Sequence, residues 1–390
     1  MAATTKTYNT RSDALDGLRA IAALLVAFYH CGAEFRSSPL VIPGFTGVLI
    51  FFVLSGYLVS KPFVQALAAG TSLPLLSSYA IRRFLRIYPP YLGALIFFTA
   101  LRYATHLHPP SASAFTAHAL LYFNFMGGHS FFDINAAFWS LSIEAQFYVL
   151  LPMSAWLVAR VVGTRHAALA LILLFVGVGL VSRVLEFTYP VAGNESHFVL
   201  PTSFLDLFGV GMLVAYVEPR AAITFSRSPR QRGVLWLIGI GVFLAANHWC
   251  LYDAGRADYL RTDIFSYATL YPLVCCLGAG VAVLAICVQP ADTKLPILSW
   301  RPLVAIGHIS YSVYLYHVAV QLAFFAALPH LPRGYELYLT SHHWLTGFLT
   351  LPFVLVTSAI AYRLVELPTM RYGTIWSKAV VQRAAIARPG

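Results

Sequence analysis

The sequence predicts an all-α integral membrane protein of about ten transmembrane helices, and three observations predict it. Hydrophobic residues make up 59% of the 390 residues and charged residues only 11%, with a mean hydropathy of +0.71. A soluble domain of this size needs more charge than that to cover its surface. Apolar runs that can cross ~30 Å of hydrocarbon, roughly 17 to 25 residues each, recur along the chain. Lysine and arginine concentrate in alternate connections, as the cytoplasmic bias of positive charge requires.

The runs cover residues 15–33, 45–63, 88–105, 138–159, 166–182, 198–217, 233–251, 265–289, 303–328 and 344–364. The first follows Lys6 and Arg11 but no small-x-small cleavage site follows it, so an uncleaved helix is expected rather than a signal peptide. With both termini cytoplasmic, 19 of the 26 lysines and arginines fall inside and six outside, Arg36, Arg102, Arg183, Arg256, Arg261 and Arg333; Arg19 lies near the inner end of the first helix. The expected organisation is a cytoplasmic segment 1–14, a membrane domain 15–370 and a short basic cytoplasmic tail 371–390. Ser111 to Phe125 is apolar but too short to span, and it lies between Pro109–Pro110 and Gly127–Gly128; it reads as a re-entrant or interfacial piece on the outer side.

Composition also bounds function. The net charge of +11 reads as cytoplasmic loops facing anionic lipid rather than nucleic-acid binding. The five cysteines show neither a disulfide framework nor a metal-ligand spacing, and no metal is expected. His106, His108, His118, His129, His197, His330, His342 and His343 gather on the expected outer side. A polar substrate vestibule and ordinary solvated loops both fit them.

Within the spans the ionisable groups are few: Arg19, His30, Glu144, Asp206 and His317. Charge in hydrocarbon is costly, so each is expected to face protein or a water-filled cavity. Arg19 and His30 are eleven helical steps apart, which at about 100° and 1.5 Å per step puts them on one face roughly 16 Å apart. A snorkelling arginine with a packed histidine is the structural alternative. Asp16 either holds Arg19 in place or marks the helix start. In "SSYAIRRFLRIYPPYL", Arg82, Arg83 and Arg86 cluster, and Arg83 and Arg86 share a face if the helix begins early. Arginine forks suit phosphate oxygens, although topology alone also explains them.

"AFWSLSIEAQFYVLLP" places Glu144 below the outer surface, flanked by Ser142, Gln146 and Tyr148. A carboxylate there suits the task of orienting a histidine base, with a structural salt bridge as the alternative. "GHISYSVYLYH" puts Tyr311, Tyr314 and His317 at i, i+3 and i+6. Ser55 in "FFVLSGYLV" reads as helix packing rather than as a nucleophile.

Taken together, "LDGLRAIAALLVAFYH", "FFVLSGYLV", "RRFLRIYPPYL", "FWSLSIEAQFYVLLP", "GHISYSVYLYH" and "RLVELPTMR" give a chain that resembles the acyltransferase 3 family from about Leu15 to Arg371. The resemblance implies ten transmembrane helices in the bacterial cytoplasmic (inner) membrane. It also implies transfer of an acyl group, usually acetyl from acetyl-CoA, to a hydroxyl of a carbohydrate or other glycosylated acceptor. Lipopolysaccharide O-antigen, exopolysaccharide, peptidoglycan and macrolides are acceptors in the family. By the same resemblance Arg19 and His30 fill the essential arginine and histidine positions, Arg83 and Arg86 the paired-arginine motif, and Glu144 the acid of the Ser-Leu-Ser-x-Glu stretch. Ala145 stands where the family commonly has a second glutamate, and Tyr316 where tryptophan often precedes the histidine. No cofactor is expected beyond acyl-CoA as donor substrate.

The expected mechanism has CoA phosphates at Arg83 and Arg86, with Arg82 beside them and Arg19 along the approach. His30 serves as general base or acyl relay, Glu144 orients it, and Asp16, Ser142, Tyr148, Tyr311, Tyr314 and His317 support the site or its acceptor side. Some relatives append a secreted hydrolase-like domain; here a separate periplasmic transferase is the expected substitute if one is needed. The rival reading from another class is a transporter or exporter, since intramembrane charges also line substrate paths. That rival predicts paired broken helices in two related halves, and the sequence shows no such repeat.

Overall fold

The computed structural model describes residues 10–30, 44–106, 109–125, 134–135, 137–189, 200–225, 228–254, 269–290, 293, 295–330, 332–335, 339 and 343–386. Among them every regular element is helical: α1 (Thr10–Tyr29), α2 (Thr46–Ala69), α3 (Leu76–Thr105), α4 (Ala112–Ala119), α5 (Trp139–Val161), α6 (Thr164–Thr188), α7 (Leu205–Phe225), α8 (Pro229–Ala254), α9 (Tyr271–Cys287), α10 (Arg301–His308), α11 (Ser310–Ala327), α12 (His343–Ala361) and α13 (Leu367–Ile386). Over their described residues all ten expected spans meet these helices; 31–33, 198–199 and 265–268 lie outside the described residues. Seven stretches among the described residues are long and apolar enough to cross a membrane. They are α2, α3, α5, most of α6, α7 with the turn before it, α11 with the turn after it, and the continuous run from α12 through α13. Outside that set, α1 carries Asp13, Asp16 and Arg19, and α9 is apolar but only 17 residues long.

Four boundaries differ from the sequence reading, each for a physical reason. α1 starts at Thr10, so Asp16 lies inside the helix and not at its start. α3 starts at Leu76, not Tyr88, and runs through Pro89 and Pro90. Proline in a membrane helix is tolerated where neighbours engage the disturbed backbone, and the Tyr311 hydroxyl donates to the Ile87 carbonyl at 2.9 Å beside the proline pair. The ninth run breaks at Ile309 into α10 and α11. The expected tail from 371 is helical to Ile386 and continues α12 through a π-helical turn, Tyr362–Glu366. It packs on α3, where a Cβ on Gly373 would sit 3.3 Å from the Leu85 side chain.

The centre of the bundle is α2, which is largely buried and meets α1, α5, α6, α7 and α9. Lipid gives helices no hydrophobic reason to associate, so close packing of small residues and polar bonds must hold them. A Cβ on Gly56 would lie 2.2 Å from the Phe208 carbonyl oxygen, and one on Gly211 2.2 Å from that of Val53. The backbones of α2 and α7 therefore touch where only glycine fits. Above that crossing Phe147 of α5 stacks on Phe208 at 4.1 Å and 12°, worth about 0.5–1.5 kcal/mol beyond area burial. This contact anchors the helix that bears Glu144.

A second buried polar joint ties α6 to α7. Arg183, expected in an outer connection, lies inside α6 and is 2% exposed. It donates to the carbonyls of Ser203 and Thr269, each at 3.0 Å, and pairs with fully buried Asp206 at 2.5 Å. Asp206 is thus the counter-charge of a structural arginine.

The Ser111–Phe125 segment forms α4 and a short turn at Phe123–Phe125. Tyr88 and Tyr91 of α3 donate to the carbonyls of Ala119 and His118 at 3.1 and 2.9 Å, so the segment is held against the bundle. His118 is buried, with its ring stacked on Phe123 at 4.0 Å; it packs rather than lining a vestibule. His108, His129, His197 and His342 lie outside the described residues.

Candidate active site

Helix periodicity sorts the polar residues of α5. Residues two apart on a helix point in nearly opposite directions, whereas residues four apart share a face. Tyr148 accordingly donates to Glu144 Oε1 at 2.5 Å, and Ser55 of α2 donates to the same oxygen. Glu144 Oε2 hydrogen-bonds with no described group, which leaves it for a ligand. Ser142 turns away and donates to Asn124 Oδ1 at 2.7 Å, as does Gln146 at 3.0 Å. The expectation that Ser142 serves the site beside Glu144 is therefore corrected: it fastens the segment after α4. Ser55, expected only to pack, touches Glu144, while its neighbour Gly56 is the packing residue.

Glu144 and Tyr148 line an internal cavity with Arg19, Ser55, Arg83, Arg86, Ser140, Tyr311 and Tyr314. Its volume is about 90 Å³, space for several waters. Arg83 lies over the rings of Tyr79 and Tyr148 at 5.9 and 5.6 Å, and its buried Nε has no hydrogen-bond partner among the described residues. Arg86 likewise makes no hydrogen bond or ion pair with a described group. Buried polar groups are nearly always satisfied, so the bare Nε of Arg83, beside the half-buried Arg86, gives the cavity donors suited to an anion. Arg82 is exposed and donates to Ser78 Oγ at 2.7 Å. Its expected place beside the other two is corrected: Arg82 does not line the cavity, and its guanidinium bonds Ser78 instead.

Arg19 is held from below. Asp16 Oδ1 accepts from Arg19 at 3.0 Å, and Asp16 Oδ2 lies 3.3 Å from His308 Nε2. The joint is possible because α10 reaches α1 closely: a Cβ on Gly307 would sit 2.0 Å from the Asp16 carbonyl oxygen. Glu366, on the π-helical turn, is 2% exposed, accepts from Ser312 at 2.6 Å and is within electrostatic reach of Arg86 and Arg19. Helical π turns concentrate at functional sites. Of the two readings of Asp16, the structure selects the one in which it holds Arg19.

His30 does not line this cavity. It sits just past the end of α1, where its Nδ1 lies 3.0 Å from the Val26 carbonyl and 3.1 Å from Nε2 of His317. The expectation that Glu144 orients His30 is corrected: the group on the His30 ring is His317, fully buried on α11. Tyr314 stands between the two places. Its ring meets Phe51 at 6.0 Å and His317 at 5.8 Å, and its hydroxyl donates to the Ala137 carbonyl and pairs with Ser140 Oγ, both at 2.6 Å. Tyr311, Tyr314 and His317 thus bond to α3, the α5 end and the end of α1 in turn; Tyr311 and Tyr314 also line the cavity, and His317 does not.

The acyltransferase domain of the acyltransferase 3 family matches residues 12–363. The chain belongs to that family. Among curated members it is similar to the peptidoglycan O-acetyltransferase OatA of Listeria monocytogenes, 27% identical over 336 residues, which cover 82% of this chain and 51% of the relative. The O-acetyltransferase OatA of Staphylococcus aureus is 26% identical over 78% of this chain and 50% of its own length. The putative peptidoglycan O-acetyltransferase YrhL of Bacillus subtilis is 30% identical over 78% of this chain and 48% of its own. The chain spans about half the length of the curated relatives it matches. No solved structure is a significant match.

The acyltransferase domain therefore holds the predicted residues in two groups. Arg19, Arg83, Arg86, Glu144, Tyr148, Tyr311 and Tyr314 meet in the cavity, and His30 meets His317 beyond Tyr314. Sequence reasoning missed Glu366 and Ser55 as members of the site. A lone glutamate near the end of an apolar run carries no local signal of its depth.

Proposed function

We propose that this chain is a membrane O-acyltransferase. It moves an acyl group, acetyl by default, from cytoplasmic acyl-CoA to a hydroxyl of an extracytoplasmic or membrane-linked carbohydrate. The observation that carries this reading is the pair Arg83 and Arg86, half-buried in one cavity with no hydrogen bond or ion pair to a described group. Guanidiniums in that setting fit the phosphate oxygens of CoA. In this reading the adenosine lies toward the cytoplasmic side and the thioester end toward the interior. The names of the three relatives support a cell-wall carbohydrate as acceptor; a glycosylated small molecule such as a macrolide is the alternative.

The chemistry is one substitution at the thioester carbon. Neutral His30 takes the proton of the acceptor hydroxyl as its oxygen attacks; the carbon–sulfur bond breaks, and the departing CoA sulfur recovers the proton, giving the ester and free thiol. In the relay version His30 itself first takes the acyl group and then yields it to the acceptor. Both versions bring the thioester past Tyr314 to His30. The bilayer places the two ends of the path on opposite sides, with both chain termini in the cytoplasm.

Arg83→Ala and Arg86→Ala are expected to raise KM for acyl-CoA about 10- to 100-fold. That is the loss of one charged hydrogen bond of about 1.5–3 kcal/mol. Initial rates at varied acyl-CoA, with acceptor saturating, check it. An unchanged KM for acyl-CoA in both variants contradicts the assignment.

A further inference from the structure

We infer that His317 is a positioning residue that, with the Val26 carbonyl, holds His30 in the tautomer bearing hydrogen on Nδ1, so that Nε2 is the atom that takes the acceptor's proton. The inference rests on His30 acting as the base or relay proposed above, and it follows from counting donors and acceptors. His317 Nδ1 lies 3.1 Å from the Val313 carbonyl and 2.8 Å from that of Tyr314. Carbonyls only accept, so His317 Nδ1 carries hydrogen. His317 is fully buried, and no carboxylate among the described residues pairs with it. A buried unpaired charge is strongly disfavoured, so the ring is neutral and its Nε2 is a lone pair. That lone pair lies 3.1 Å from His30 Nδ1.

His30 Nδ1 thus faces two acceptors, the Val26 carbonyl at 3.0 Å and His317 Nε2. It is a donor to both. Among the described residues nothing hydrogen-bonds to His30 Nε2. The remaining lone pair of the ring is therefore the free one. In the Ser-His-Asp arrangement a carboxylate accepts the Nδ1 hydrogen and fixes the reactive nitrogen; here a neutral imidazole and a carbonyl share that task. When Nε2 takes a proton the ring becomes a cation, and its Nδ1 hydrogen bonds strengthen because the donor is then charged. Gln321 of the same helix donates to the Ala27 carbonyl at 2.7 Å, which fixes α11 against the end of α1 and sets the spacing of the two rings.

The test uses the full chain, labelled with 15N-histidine and embedded in lipid, with the His30 signals assigned by their loss in His30→Ala. Nitrogen NMR of the neutral form is expected to show hydrogen on Nδ1 and none on Nε2. Hydrogen on His30 Nε2 in the unsubstituted chain overturns the proposal without any reference to activity. In the second arm His317→Leu removes one acceptor and is expected to lower kcat about 10- to 100-fold with KM for acyl-CoA unchanged. His317→Gln supplies an acceptor oxygen and is expected to recover most of that loss, together with the single-tautomer spectrum. Full kcat in His317→Leu, or a glutamine variant no better than leucine, overturns the positioning role. Full activity in His30→Ala would instead sink the base reading and leave the tautomer result standing, so the two failures are separate.

Discussion

His30→Ala is expected to lower acyl transfer by about 10²- to 10⁴-fold, the usual contribution of a positioned acid or base, while the protein still inserts and folds. The half-buried ring ends α1, and the contacts that dock this helix lie elsewhere. They are the Asp16 link to Arg19 and His308, the close approach of Gly17 to the Leu298 carbonyl, and the Gln321 bond to Ala27. Ester formation on carbohydrate in isolated membranes measures the first effect. Protein level and elution as a single species in detergent measure the second. A well-folded alanine variant with full transfer contradicts both the base and the relay versions.

The largest stability effect is expected from Arg183→Leu. The substitution strands Asp206, which is 0% exposed, and deletes hydrogen bonds to the Ser203 and Thr269 carbonyls. Removing one partner of a buried pair costs about 3–5 kcal/mol, mostly from the uncompensated charge left behind. Thermal unfolding in detergent is expected to show a large drop in Tm. Adding Asp206→Asn removes the stranded charge and is expected to restore a substantial part of it. Neither residue lines the arginine cavity, so the folded fraction keeps its kcat. Equal Tm values for the single and double variants would show that the stranded charge is not what costs stability.

The helices are legible because lipid imposes a length and a composition on each span, and the described part of every expected run meets a helix. The one-face relation of Arg19 and His30 is expected from helix geometry alone; in the fold Arg19 lines the cavity, and His30, just past the helix end, meets His317. Partnerships between helices were not legible. His317 was visible as a helix residue, but its bond to His30 joins positions 287 residues apart, and no local periodicity encodes such a contact. A carboxylate suits the role of partner to His30, which is why the sequence points to Glu144; in the fold Ser55 and Tyr148 occupy it. Adjacency groups Arg82 with its neighbours in the sequence, but in the fold its guanidinium bonds Ser78 outside the cavity. Glu366 escaped notice because its depth depends on a π turn.

Reconstitution of the purified chain tests the central claim most directly. Liposomes would present acetyl-labelled acetyl-CoA to the Arg83–Arg86 side and soluble peptidoglycan or exopolysaccharide fragments to the His30 side. The predicted result is an alkali-labile labelled ester on the carbohydrate, formed one for one with free CoA thiol and lost in His30→Ala. Acetyl-CoA left unconsumed while the carbohydrate crosses the bilayer unmodified would contradict the account and establish a transporter in its place.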